Sequence, residues 1–463
     1  MSMNSQKRKA CDPDSYSDSV WKQTKGNVVS KLKYSEPFGF FLSAVDSNPL
    51  THSEDLTLSF PELLDKSLGD LKESLHINFM VELGWLLAQY YITNQRGKTV
   101  YLLYEHCDED LNTLKTMNKI PNLRFTQVKP QNVFGHHHTK MSMFLYSDGS
   151  IRIVVMTANL REEDWTNLTQ GIWVSPKFPQ LHSTDKHNGE STTGFKNDIL
   201  RYLQSYKVEL LENWIQRIKK TDFSSAKVFF ISSIPGKHFE PLWGQTYLRN
   251  ILKTHAHIPS GSPSDWPIIS QCSSIGSLGA NEKDWLTSEF IFNLSSSTQN
   301  CKTDNNIPFN LIYPTVNNVL NSWDGPMGGF CLPYSDKVHQ KQVWLKNYMC
   351  KWVSHSRNRT KAVPHIKSYC RISPCCSEMS WFLLTSANLS KAAWGRETKS
   401  DRSNYFMSHE VGILFLPQFL VGCDTFSINQ TQNGTIPSFP IPFDLPLTPY
   451  SKSDQPWRAD IVS

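Results

Sequence analysis

At 463 residues the chain exceeds what one ordinary hydrophobic core supports, so two domains of roughly 200 residues are expected. Its 39% hydrophobic and 12% aromatic content is that of a packed globular protein, and a net charge of +5 permits a polyanionic partner without requiring one. No run of 18 apolar residues is present, so no membrane span is expected, and none of the ten cysteines forms a C-x-x-C pair, which speaks against a zinc ribbon and for reduced thiols in a cytosolic or nuclear setting.

In chain order, residues 1 to about 35 are polar and Ser- and Lys-rich and read as a disordered tail. The opening stretch, Met1 to Lys9, does not resemble a signal peptide. Its Lys7-Arg8-Lys9 fits a nuclear address or simply a solvated tail. Folded sequence begins near Phe38-Gly39-Phe40-Phe41. Leu75 to Tyr91 reads as a strand running into a helix, and Thr99 to Tyr104 as a buried strand. Phe144 to Tyr146 and Ile151 to Met156 read as two strands around a turn containing Gly149. Ile199 to Lys220 carries helical periodicity. Lys227 to Ile234 is a β-branched and aromatic strand stopped by Pro235-Gly236, which places the domain boundary there. Beyond it, Leu248 to His255 reads as helix, and Trp266 to Ser270, Asn310 to Tyr313, Trp381 to Thr385 and Val411 to Leu416 as strands. The Pro-rich tail from Pro437 is expected to lie extended over the surface. Strands alternating with helices, written twice, predict an α/β fold with two related halves.

One signature occurs twice, 227 residues apart. The first copy has His138-Thr139-Lys140, an apolar stretch, Thr157-Ala158-Asn159-Leu160 and Trp165. The second has His365-Ile366-Lys367, an apolar stretch, Thr385-Ser386-Ala387-Asn388-Leu389 and Trp394. A lone H-x-K triplet is cheap, but two copies with a shared downstream Asn and Trp are not. The residue types suit phosphoryl transfer. Imidazole can attack or move a proton near neutral pH. Lysines neutralise phosphate oxygens, and amides add donors without charge. On a strand, residues i and i+2 share a face, so His138 and Lys140, and likewise His365 and Lys367, are expected to look at one phosphate. In the run His136-His137-His138 no carboxylate or Cys at ligand spacing accompanies the imidazoles. His136 and His137 therefore read as packing residues, and no metal is expected.

These segments resemble the phospholipase D superfamily and, within it, the tyrosyl-DNA phosphodiesterase family. The resemblance is carried by 134–141 (FGHHHTKM), 157–173, 271–279 (QCSSIGSLG), 364–369 (PHIKSY), 385–395, Glu410-Val411-Gly412 and 442–446, and covers roughly residues 36 to 457. Most phospholipase D enzymes carry an Asp four residues past the motif Lys. Leu145 and Ile372 stand there instead, which disfavours the phosphatidyl-transferring lipases of the superfamily.

The resemblance implies two related α-β-α sandwich domains, 36–235 and 236–463, related by a pseudo-two-fold axis with the active site at their interface. It implies a monomer that repairs DNA in the nucleus. The substrate is a DNA 3′ end carrying a tyrosyl peptide or another blocking group, cleaved without metal or cofactor to leave a 3′-phosphate. His138 is implied to attack phosphorus and form a phosphohistidine. His365 is implied to protonate the leaving phenolate and then activate water. Lys140, Lys367, Asn159 and Asn388 are implied to clamp the phosphate. Gln170 and Glu410 are implied to orient the two imidazoles, with a carboxylate at His365 raising its pKa. Spacing alone would leave Glu410 a strand-end surface charge. Ser273, Ser274 and Ser277 are implied to offer hydroxyls and backbone N–H groups to DNA phosphates, Phe134 and Phe79 to stack on bases, and Lys391 to meet the DNA backbone or the peptide. A non-catalytic binder of DNA ends is the alternative from another functional class.

Overall fold

The structure is a computed structural model and describes residues 19–116, 119–130, 132–259, 263–299, 307–428 and 436–461. The basic run Lys7-Arg8-Lys9 lies outside the described residues.

Two large mixed sheets dominate. The first orders its strands Thr57–Leu58, Phe40–Ser43, Gly171–Val174, Ile151–Met156, Lys140–Tyr146, Leu71–Val81, Thr99–Cys107 and Leu123–Gln127. The second orders Phe229–Ser233, Glu410–Phe415, Glu378–Thr385, Ser368–Ile372, Ile268–Gln271, Phe309–Ile312 and Met349–Cys350, with Phe426–Ser427 paired onto Glu378–Thr385. Apart from those two short extra strands the sheets match pairing for pairing. In each, the strand that follows H-x-K runs antiparallel to its hairpin partner and antiparallel to a strand on its other side, beyond which two parallel pairings complete the sheet. The internal repeat in the motif is thus a repeat of the whole unit, and the fold is the expected α/β architecture of two related halves.

The correspondence relocates the boundary. Phe229–Ser233 pairs with Glu410–Phe415 and is the counterpart of Phe40–Ser43, so the second unit begins before Phe229 and not at Pro235-Gly236. Gly236–His238 instead forms a small ribbon with Asn404–Phe406.

Each sheet turns one face to the other and the two share one core. Phe40 of the first sheet meets Phe382 of the second with ring centroids 5.4 Å apart, and Phe415 at 6.2 Å. The outer faces are covered separately, the first by helix Leu83–Ile92 and the second by helix Gly244–His255 among others. Leu145 and Ile372, which replace the superfamily Asp, are buried in the shared core.

Three expectations need correction. The stretch expected to be disordered forms helices at Ser19–Thr24 and Val28–Tyr34. Val20, Trp21 and Val28 are buried, and the buried Lys31 ammonium meets Glu62 at 2.7 Å, so tertiary contacts hold what local sequence would not. The long helix read over 199–220 is two, Phe195–Ser205 and Glu212–Lys219. Lys207 adopts a left-handed φ of 53° after the first and breaks the register. The Pro-rich tail is extended but not superficial. Phe439 inserts between the sheets, with ring centroids 5.0 Å from Phe38, 5.8 Å from Phe40, 4.7 Å from Phe382, 5.4 Å from Phe415 and 5.1 Å from Phe426.

Candidate active site

Neither H-x-K motif lies wholly within a strand: the first ends on the opening residue of Lys140–Tyr146, and the second immediately precedes Ser368–Ile372. Their backbones are fixed across the seam between the halves. His138 N–H donates to the His409 carbonyl at 3.0 Å, and His409 N–H to the His136 carbonyl at 2.9 Å. In the same way His365 N–H donates to the Thr169 carbonyl at 2.9 Å, and Thr169 N–H to the Val363 carbonyl at 2.9 Å. His409 and Thr169 immediately precede Glu410 and Gln170, so each histidine is registered against the residue before the other half's brace.

The side chains repeat the exchange. His138 Nδ1 lies 2.9 Å from the Glu410 carboxylate, and His365 Nδ1 lies 3.1 Å from Gln170 Oε1. Each brace is itself held by the hydroxyl two residues before its half's Asn. Thr157 Oγ1 donates to Gln170 Oε1 at 2.8 Å, and Ser386 Oγ to Glu410 at 2.5 Å. The two copies therefore align best as Thr157-Ala158-Asn159 with Ser386-Ala387-Asn388. In both halves the imidazole is pinned through Nδ1, which leaves Nε2 as the nitrogen available for chemistry.

Sequence reasoning missed Asp164. Its carboxylate lies 3.2 Å from His365 Nδ1 and also accepts the Asn159 backbone N–H at 2.8 Å and the Gln170 amide at 3.3 Å. The carboxylate beside His365 is thus Asp164, and Glu410 serves His138. The signal was an asymmetry between the copies. The residue before the first motif Trp is Asp164, whereas Ala393 stands before the second.

Burial governs the charge states. His365 is depressed to about 3, first by desolvation and then by the Lys367 ammonium, and the bond to Asp164 only partly opposes this. His138 is depressed to about 4 by desolvation, against the pull of Glu410. The expected rise of the His365 pKa is therefore absent, and both imidazoles are neutral at neutral pH. Asp164 is held at about 2: burial pushes it up, but His365, the Asn159 N–H and Lys140 outweigh it. Glu410 is likewise held below its ordinary value against burial by His138, Ser386 and Lys140. The ammonium groups are fully buried. Desolvation lowers Lys140 to about 8 and, with the added charge of Lys140, Lys367 to about 7. Each lysine folds back on its own motif, donating to the carbonyl of His138 at 3.1 Å or of His365 at 2.5 Å. A pair of buried cations, one of them lowered further by the other, is a receptor for an anion.

The amides are placed differently from one another. Asn388 Oδ1 accepts the backbone N–H groups of Ser273 at 3.1 Å and Ser274 at 2.9 Å. Those N–H groups, expected to meet DNA, instead orient Asn388, whose amide N–H groups have no partner among the described residues. Asn159 gives an N–H to Asp164 at 3.2 Å. Ser277 is exposed, and Lys391 is half-buried at the start of the helix Lys391–Trp394.

Phe79 is half-buried rather than an open stacking platform. Its ring centroid lies 5.3 Å from His138, 5.3 Å from His136 and 5.4 Å from His106, with Lys140 Nζ at 5.2 Å. Phe134 is the open aromatic, 74% exposed on the loop that leads into His138. Beneath that loop Glu105 accepts from His136 at 3.1 Å and from the His137 N–H at 2.5 Å. His137 is buried and bonds Tyr206 OH at 2.8 Å.

Two imidazoles with free Nε2 atoms, two buried ammonium groups and two amides thus converge across one seam, an arrangement able to hold a phosphodiester and attack it from one side while serving the other. Comparison with known proteins bears on that chemistry. The family model described as tyrosyl-DNA phosphodiesterase matches residues 39–451. Tyrosyl-DNA phosphodiesterase 1 of Drosophila melanogaster is 44% identical over 451 residues, 95% of this chain and 76% of that protein. A probable tyrosyl-DNA phosphodiesterase of Caenorhabditis elegans is 33% identical over 86% of this chain and 84% of its own length. The crystal structure of the yeast tyrosyl-DNA phosphodiesterase shares the fold, with a TM-score of 0.70 at 21% identity over 91% of this chain and 99% of that one. The chain belongs to the tyrosyl-DNA phosphodiesterase family of phosphodiester hydrolases.

Proposed function

We propose that the protein repairs DNA 3′ ends by hydrolysing the bond between a terminal phosphate and a tyrosine or other blocking group, in two steps that need no metal, leaving a 3′-phosphate. In the first step His138 Nε2 forms a bond to phosphorus as the P–O bond to the tyrosine breaks, and His365 gives its proton to the departing phenolate. In the second step His365 takes a proton from water, the water oxygen bonds to phosphorus, and the P–N bond to His138 breaks. The observation that carries this reading is the crosswise brace, which holds both Nδ1 atoms and presents both Nε2 atoms at one seam.

Desolvation and the Lys367 charge keep His365 neutral at neutral pH. A bound phosphate places negative charge between Lys140, Lys367 and the imidazole, and this favours the protonated form that the first step requires. Neutral His138, its Nδ1–H directed at Glu410, already has the form a nucleophile needs. The protein is taken to act as a monomer, and a nuclear location follows from a DNA substrate.

The test uses an oligonucleotide with a 3′-phosphotyrosine, incubated in EDTA. Wild type should release tyrosine and leave a 3′-phosphate, and His138→Ala should release none. His365→Ala should accumulate protein covalently joined to DNA when supplied with a leaving group that departs without a proton. Undiminished turnover by His138→Ala would remove it as nucleophile. A requirement for added metal would overturn the mechanism.

A further inference from the structure

The seam between the two halves opens a second time, at the end away from the two motif histidines. A cavity of about 660 Å³ lies there, a volume in the range of small-molecule sites. Both halves line it, with Pro37, Phe38 and Trp173 from the first and Val228 and Leu420 from the second. Strand direction sets the separation from the active site. Trp173 stands three residues along its strand from Gln170, about 10 Å. Phe229, next to Val228, stands four residues from Ser233, the partner of Glu410, about 13 Å. None of the residues assigned to phosphoryl transfer lines the cavity.

The lining has two characters. Phe38, Trp173 and Leu420 are buried side chains and give it an apolar, largely aromatic floor. Lys33, Arg152, Lys177 and Lys227 give it a cationic rim, against the single carboxylate of Glu36. That bias is local, because the chain as a whole carries 47 basic and 42 acidic residues. Lys177 is already paired, with Asp148 at 2.7 Å. Lys33, Arg152 and Lys227 have no carboxylate within ion-pair distance among the described residues, and Arg152 gives an N–H to the Ser175 carbonyl at 2.6 Å. The Trp173 indole N–H also lacks a partner among the described residues, and it lies beside Gly39, which lines the same cavity. A concave surface with apolar walls and charges of one sign focuses its field on an occupant of the opposite sign.

The geometry points to a binding site for a small organic anion of about nucleotide size, a planar apolar ring system joined to a phosphate or carboxylate. The rings lie on Phe38, Trp173 and Leu420, and the anion meets Lys33, Arg152 and Lys227. Aromatic floors suit flat ligands because they offer large contact area at little cost in side-chain freedom. An occupant touches both halves at the end of the seam remote from the histidines, whatever substrate the histidines take.

The test is calorimetric titration of the full chain, at physiological salt, with naphthyl phosphate, naphthoate and inorganic phosphate. Wild type should bind at least one of the two aryl anions more tightly than inorganic phosphate. Preference for naphthyl phosphate identifies the natural ligand as a phosphate, and preference for naphthoate as a carboxylate. In Lys33→Glu/Lys227→Glu, both at exposed positions, the affinity for the preferred aryl anion should fall at least about tenfold. Screening over about 8 Å keeps that change from reaching the active site. Ser225→Glu, a single exposed change in the lining, should act in the same direction and decides the matter if the double variant does not fold. Binding of neither aryl anion overturns the inference. So does inorganic phosphate binding as tightly as they do, since the aromatic floor would then have no part. Aryl-anion binding retained in both variants assigns the probe to the active site and overturns it equally.

Discussion

Asp164→Asn isolates the acidity of His365 while keeping the shape of the site. Asp164 stands 3.2 Å from His365 Nδ1 and accepts the Asn159 N–H at 2.8 Å, so the change removes a charge and little volume. Two opposite unit charges about 4 Å apart are worth about 4 kcal/mol at an effective dielectric of about 20. The substituted amide can still accept a hydrogen bond, and the neighbouring lysines screen the pair, so about half of that is expected to be lost. At 1.36 kcal/mol per unit this lowers the pKa of His365 in the complex by roughly 1.5 units and cuts its protonated fraction about 30-fold. The assay is the single-turnover rate of covalent-intermediate formation on two oligonucleotides, one with 3′-tyrosine and one with 3′-(4-nitrophenol). Tyrosine leaves as a phenolate with a pKa of about 10 and needs the proton; nitrophenolate does not. A loss of about 30-fold on the first substrate and little on the second is expected. Equal losses on both would show that Asp164 merely supports the site, and would refute the assignment of His365 as the acid.

Glu410→Gln should act on the nucleophile instead, lowering intermediate formation at least about 100-fold for both leaving groups, because His138 loses the carboxylate that fixes its tautomer; a loss confined to the tyrosyl substrate would contradict this. The profile of kcat/KM against pH reports the free enzyme. On the 4-nitrophenyl substrate, which needs no proton from His365, it should fall as pH drops through about 4, where His138 protonates, and fall again as pH rises through about 7 to 8, where Lys367 and Lys140 lose their charge; a flat alkaline limb would refute the phosphate-clamp role of the lysines. Stability should also depend on pH. His76 and His365 are held at about 3 and His138 and His409 at about 4, below their unfolded value of about 6.5, so the stability they confer is present above that value and is lost as pH falls toward the folded values. Each costs about 2 kcal/mol at pH 5, so Tm should drop clearly between pH 7 and pH 5, and an unchanged Tm would be the contrary result. Phe439→Ala should cost about 3–5 kcal/mol, read as a lowered Tm, since the ring fills the space between the sheets; a Tm within a degree of wild type would show that the tail is dispensable.

How much of this was legible depends on whether the deciding contact is local. The H-x-K and Asn residues were legible because the duplication repeats them at nearly fixed spacing, and the strands because each is a short apolar run. The sheet of each half needed no partner to be read. The N-terminal helices were not legible, since helices this short are marginal in water and are held here by the buried Lys31–Glu62 pair from a distant segment. Phe439 was hidden for the opposite reason: a Pro-rich tail reads as surface when nothing in it announces an aromatic cavity elsewhere. Asp164 sits in the run Glu162-Glu163-Asp164 at the start of the helix Glu162–Thr166, where acids ordinarily complement the helix N-terminus. Its partner lies in the other half, so only the contrast with Ala393 set it apart.

That contrast, together with Gln170 against Glu410, also separates the two halves of the site. Glu410 bonds His138 at 2.9 Å and Ser386 at 2.5 Å, so most of its charge faces the imidazole that is proposed to carry the phosphoryl group. Asp164 shares its charge among the Asn159 backbone and side chain, the Gln170 amide and His365, and Gln170 Oε1 already accepts from Thr157. His365 is depressed to about 3 and His138 to about 4, both first by desolvation, with the Lys367 charge adding to the effect on His365. A weaker hold on the proton suits the group proposed to give it up to a phenolate, and a carboxylate directly on Nδ1 suits the group proposed to keep its Nδ1–H while Nε2 is bonded to phosphorus. The fold supplies two equivalent histidines; Asp164 where the other half has Ala393, and Gln170 where it has Glu410, make them different.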